Sequence, residues 1–213
     1  IPLDIQSKQI IPVDLKKYST TDNDKLGKSI KKIKNKVSQA IKLIKKAKRP
    51  VIITGYGIRL SHSENDFREI ADYLKIPIVS SWTSSDLFSD DLDYYVGRAG
   101  IFGDRASNFA VQNSDLLIII GSRMSVPQTG YNFSTFSRES KKIMVDIDEN
   151  EIIKPSLNID LPIVADVKSF LQEIESVKES IQLHNEVTDW KLICSSWKNK
   201  YPVALPEYQN QKD

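Results

Sequence analysis

Apolar residues fall in two alternating rhythms along the chain. Over residues 29–48, Ile30, Ile33, Val37, Ala40, Ile41 and Ile44 recur at the spacing of one helical face, with Ser29 placed as N-cap and lysines on the other faces. Runs that are apolar at nearly every position then take over, at 50–54, 77–79, 116–120, 142–147 and 161–164. A run without polar alternation predicts a strand covered on both faces. Helical spacing returns between the runs, over 63–74, 104–112, 149–154 and 167–177. In the first of these, Phe67, Ile70, Ala71 and Leu74 make the buried face, and Ser63 with Asp66 resembles a capping box. Strands alternating with helices predict an α/β domain, a doubly wound, mostly parallel, Rossmann-like sheet.

The two ends depart from this rhythm. Residues 1–5, Ile-Pro-Leu-Asp-Ile, read as a strand fragment with no initiating methionine, so the chain is expected to be cut from something larger. Near the other end, Trp190, Ile193, Cys194 and Trp197 share one helical face, an apolar stripe expected to pack on a neighbour. The organisation predicted is a linker over 1–28, a central domain over 29–177 and a helical linker over 178–213.

Composition removes several classes of function. Thirty basic and 28 acidic side chains give a net charge of +2, which offers nucleic acid no basic surface. One cysteine allows no internal disulfide, and no apolar run approaches the roughly 20 residues of a membrane span. These features predict a soluble, cytoplasmic protein. His62 and His184 stand apart from other metal-ligating residues, and Cys194 on its apolar face is expected to pack rather than react.

Glycine is scarce, and its placement carries the chemistry. Of eight glycines, Gly55, Gly57, Gly97, Gly100, Gly103 and Gly121 cluster just after apolar runs or before the helix at 104. In a doubly wound sheet, ligands sit beyond the carboxyl ends of the strands. The segments there are Gly55-Tyr56-Gly57, Ser80-Ser81-Trp82-Thr83, Gly121-Ser122-Arg123 and Asp146-Ile147-Asp148. Glycine lets the backbone approach a phosphate or a flat ring, and a helix N-terminus offers unpaired N–H groups to an anion. The loop 97–103 is therefore expected to seat part of a nucleotide. Asp146 suits ribose hydroxyls or, alternatively, a cap toward Glu149 and Ile152; Arg123 suits a phosphate or a plain ion pair.

The segments PVIITGYG (50–57), GIFGDRASNFAVQNSDLLIIIGSR (100–123), KIMVDIDENEI (142–152) and VADV (164–167) resemble, in order and spacing, the central domain of thiamine-diphosphate-dependent enzymes, in particular acetolactate synthases. The resemblance also makes IPLDIQ similar to the last strand of a preceding pyrimidine-binding domain. It implies a fold that in several members holds FAD or ADP structurally, with thiamine diphosphate and Mg2+ bound by outer domains of the same polypeptide in a homodimer or homotetramer. By resemblance, Gly55, Tyr56 and Gly57 line the adenosine diphosphate part, and Ser81, Trp82 and Thr83 the flavin-side linker or ring. Gly100, Ile101 and Phe102 face the isoalloxazine, while Gly121, Ser122 and Arg123 bind sugar and phosphate. Asp146 and Ile147 meet ribose and adenine, and Asp166 and Val167 close over the adenine.

Residues 124–128 depart from the pattern. Acetolactate synthases that keep FAD usually carry an acidic pair and a second arginine here, where this chain reads Met-Ser-Val-Pro-Gln. A remodelled or empty nucleotide site therefore stands as an alternative, with Trp82 stacking on a ring or filling the space. The family's catalytic glutamate and its Gly-Asp-Gly…Asn motif do not occur in these residues, so no catalytic residue is assigned. The alternative from another class is a stand-alone nucleotide-binding module, similar to electron-transfer flavoproteins.

Overall fold

The computed structural model describes residues 3–12, 30–205 and 207–208. Six parallel strands form one sheet in the order β3-β2-β1-β4-β5-β6. They are β1 (Pro50–Thr54), β2 (Ile78–Ser80), β3 (Tyr95–Arg98), β4 (Leu116–Ile120), β5 (Lys141–Asp146) and β6 (Leu161–Val164). This is the strand order of a dinucleotide-binding sheet, with its switch point between β1 and β4. Five strands answer to the apolar runs; β3 does not, because Tyr-Val-Gly-Arg is short and holds a glycine.

The helices, in chain order, are α1 (Leu3–Gln6), α2 (Ile30–Lys46), α3 (Gly57–Leu60), α4 (Glu64–Leu74), α5 (Arg105–Asn113), α6 (Val126–Thr129), α7 (Glu149–Ile153), α8 (Val167–Glu175) and α9 (Glu186–Lys200). Successive strand residues point to opposite faces, and each face has its own core. Ile52, Ile78, Ile118, Ile143 and Ile163 meet α2, α4 and α8 on one side. Val51, Ile53, Leu117, Ile119 and Met144 meet α5, α7 and α9 on the other.

Four expectations change. Leu3–Gln6 is a helical turn rather than strand, since no strand of the sheet pairs with it; Ile1, Pro2 and the proposed Ser29 cap lie outside the described residues. Ser63 makes no capping bond, because its hydroxyl turns back to the Ile58 carbonyl and to Ser61. The apolar stripe near the C-terminus packs on this chain's own sheet. Trp190 is 3% exposed and donates its indole N–H to the Pro50 carbonyl at 3.1 Å, Cys194 is buried beside it, and Trp197 packs edge-on against Trp190 and Phe109. Ile193 alone of that stripe stays largely exposed. Finally, Asp148 rather than Asp146 caps α7, accepting from the Asn150 amide at 2.9 Å. The burial of Cys194 pushes its thiol up to about 12, as suits a packing residue.

Candidate functional site

The carboxyl ends of the strands open into a cleft of about 1070 Å³. Every candidate residue lines it except Gly100 and Ile101. Those two belong to the wall behind: Asn108 holds both polar groups of Gly100 at 2.9 Å, and the Ile101 amide donates to the Pro127 carbonyl at 2.7 Å.

The glycines at the switch point are there for one another. Gly55 donates to the Ile120 carbonyl, Gly57 to the Gly121 carbonyl and Gly121 to the Val145 carbonyl, each at 2.9 Å. The β1 and β4 turns thus cross in backbone contact, and their N–H groups are already paired. The same holds in the loop 97–103, where the amides of Gly100, Ile101, Gly103 and Asp104 all find acceptors within the protein. Those four amides are therefore not free for an anion, and the loop reaches the cleft through Ala99 and Phe102.

One end of the cleft is aromatic. A 3₁₀ segment, Trp82–Leu87, follows β2 and is anchored by Ser84, whose hydroxyl pairs with Thr54 and Ser81. This places Trp82 against Phe102 from the β3 loop, rings stacked with centroids 5.3 Å apart, both largely exposed. The gap between them is too small for a third ring.

The opposite end, beyond β4, β5 and β6, is ionic. Arg123 donates to Glu151 at 2.5–2.6 Å, and Lys154 binds the other Glu151 oxygen at 2.8 Å and also the Arg123 carbonyl. Lys154 and Arg123 together hold the Glu151 carboxyl below its ordinary value. Burial, by contrast, pushes the Asp146 carboxyl up, while one of its oxygens accepts from the Asp148 amide at 3.0 Å. Asp166 caps α8 through the Lys168 amide at 2.9 Å. Asp146, Asp148, Glu151 and Asp166 outnumber the two cations along this wall.

Sequence reasoning passed over Glu151, Lys154 and Gln128, which also line the cleft. Glu151 and Lys154 stand two and five residues after Glu149 on the α7 turn, where helical spacing aims them back at Arg123. Among the described residues no group of three His, Cys, Asp or Glu could hold a metal ion. No helix there is long and apolar enough to cross a membrane.

Comparison with known proteins supplies the family. A family model described as "Thiamine pyrophosphate enzyme, central domain" matches residues 37–174. The probable acetolactate synthase large subunit of Methanocaldococcus jannaschii is 32% identical over 191 residues, covering 88% of this chain and 32% of that protein. That of Methanococcus aeolicus is 36% identical over 138 residues, 65% of this chain and 23% of the relative. The acetolactate synthase large subunit of Corynebacterium glutamicum is 33% identical over 172 residues, 80% and 27% respectively. The chain therefore spans at most 32% of the length of these relatives. A six-stranded parallel sheet and a family match over most of its length have one reading: the chain belongs to the central-domain family of thiamine pyrophosphate enzymes.

Proposed function

We propose that this chain is the central domain of a thiamine-diphosphate-dependent 2-oxo acid carboligase or decarboxylase of the acetolactate synthase kind, and that its switch-point cleft holds an adenine nucleotide, FAD or ADP, in a structural role. The observation that carries the second half is the cleft itself, about 1070 Å³ and lined by residues at or just after the ends of all six strands. Its two ends fit a nucleotide: Asp146 offers a carboxylate to ribose hydroxyls, and Trp82 with Phe102 offers an exposed aromatic face. Its middle fits only after a rearrangement, because Arg123 must leave Glu151 to meet a phosphate.

In this reading the domain contributes scaffold and contacts to outer domains of the same polypeptide, in a cytoplasmic homodimer or homotetramer. Thiamine diphosphate with Mg2+, held by those outer domains, supplies the electron sink for the carbanion of a 2-oxo acid. Residues of this chain position no part of that chemistry directly.

Titrating the 213-residue chain with ADP and with FAD, while following its melting temperature, tests the cleft. Ligand that binds only the native state raises the midpoint by mass action. No shift with either, at concentrations up to millimolar, would overturn nucleotide binding. The parent reaction is tested separately, by acetolactate formation from pyruvate by the whole polypeptide with thiamine diphosphate and magnesium.

A further inference from the structure

Gln128 lies within α6, the helical turn that follows β4, and its side-chain amide is oriented by its neighbours. The oxygen Oε1 accepts from the Ser122 hydroxyl at 3.1 Å and from the Ser125 amide at 3.3 Å. That leaves Nε2 as the donor end, and Nε2 has no acceptor and is closed off from solvent. Four buried side-chain atoms among the described residues lack a partner, on Ser107, Gln128, Ser156 and Glu175; of these only Gln128 lines the cleft. A buried N–H without a protein acceptor is costly, and such groups in native proteins are met by an ordered water, an ion or a ligand, or mark a functional position.

Its position says what arrives. Ser122, which Gln128 holds, lies against Gly55 at the crossing of the β1 and β4 turns, where a β-carbon on Gly55 would come within 2.5 Å of the Ser122 Cα. This is the middle of the cleft, between the Trp82–Phe102 end and the Asp146 end. The middle of a dinucleotide is its diphosphate, and a nucleoside diphosphate whose ribose meets Asp146 brings its terminal diphosphate to the same place. The usual donors there are already spent: the amides of Gly55, Gly57 and Gly121 on backbone carbonyls, Arg123 and Lys154 on Glu151.

We infer that Gln128 Nε2 is a phosphate-reading donor of the cleft, giving its N–H to a phosphate oxygen of a bound nucleoside diphosphate or dinucleotide. The inference rests on the nucleotide reading above and adds to it a specific neutral donor. Because Nε2 is enclosed, the phosphate displaces the adjoining wall. The adjoining segment is the β3 loop, whose Gly100 abuts the Pro127 and Gln128 backbone.

The test compares ADP binding to the wild-type chain, Gln128→Leu and Gln128→Glu. Glutamate keeps an oxygen for Ser122 and Ser125 while removing the donor, so the turn is preserved; leucine removes both. Both variants should fold, and both should bind ADP about tenfold or more weaker, glutamate weakest through charge repulsion. In the 15N-labelled chain, the side-chain amide pair missing from the Gln128→Leu spectrum should shift on adding ADP and stay in place with adenosine. Wild-type affinity in Gln128→Glu, or an equal shift with adenosine, overturns the assignment while leaving nucleotide binding intact. Absence of ADP binding by the wild-type chain overturns both.

Discussion

Gly57 and Gly121 lie in backbone contact where the β1 and β4 turns cross, so close that a β-carbon on Gly57 would stand 2.6 Å from the Gly121 Cα. Neither turn is free to step aside, since Gly57 donates to Gly121 and Gly121 to Val145. Gly57→Ala is expected to cost about 1–3 kcal/mol of stability through overpacking. Chemical denaturation measures it, and an unchanged midpoint would mean that the crossing relaxes at no cost.

The pairing of Arg123 with Glu151 sets the charge available to a ligand. Glu151→Gln weakens the hold on both Arg123 and Lys154 and is expected to tighten ADP binding severalfold, with greater effect at low ionic strength. The carboxyl of Glu151 is held low by Lys154 first and then by Arg123, so its contribution to stability is complete above the ordinary value of 4.5 and fades as pH falls through the lowered one. Arg123 is largely exposed, so the effect on stability is small. In acid titrations the variant should lose less stability on this limb than the wild type; identical limbs would show that the pair is electrostatically idle.

Asp146 carries the opposite sign. Burial raises its carboxyl above the ordinary 3.8, so ionisation at neutral pH works against the folded state, and stability is gained as pH falls through the raised value. Asp146→Asn keeps an oxygen for the Asp148 amide and removes the buried charge. The variant is expected to melt higher at pH 7 while binding ADP more weakly. A lower melting temperature would show that the charge has a compensating partner.

Trp82 is a built-in reporter, since it is 62% exposed in the cleft whereas Trp190 is 3% exposed in the core. Nucleotide entering the cleft should quench tryptophan fluorescence, and Trp82→Phe should abolish most of that response. Quenching that survives the substitution would place the ligand elsewhere.

Trp190 ties α9 to the middle of the sheet. Trp190→Ala is expected to cost about 3–5 kcal/mol, and Trp190→Phe less, the latter leaving the Pro50 carbonyl without its side-chain donor. Equilibrium denaturation separates them. A negligible loss in both would restore the idea that this helix is built for another surface.

That last idea came from the sequence, and its failure is instructive. A stripe such as Trp190, Cys194 and Trp197 announces that a helix buries one face but not which surface receives it. The strands were legible because residues such as those of Leu116–Ile120 are apolar throughout, which only a two-sided core requires. Tyr95–Arg98 was not, since a four-residue edge strand with Gly97 at φ +130° leaves no pattern. Glycine clusters located the cleft, but their partners were hidden: crossing turns use glycine as readily as phosphates do. Gln128 left one trace, the Ser-x-x-Gln spacing of a capping box at 125–128, which accounts for its oxygen and is silent about its nitrogen.

The route of α9 also decides how the domain bears load. α8 packs with α2 and α4 on one face, and after it the chain crosses to the other face, where α9 runs to the far edge and Lys198 donates to the Tyr95 carbonyl at 2.9 Å. Tension applied beyond Tyr201 is therefore borne first by Tyr201 on Phe109 and Arg105 of α5, then reaches β3 through Lys198 and β1 through Trp190, and reaches β6 only once α9 has peeled away. Under force the helix acts as a strap whose buckle is Trp190, and the first rupture should leave the cleft-bearing strand ends β4 to β6 standing.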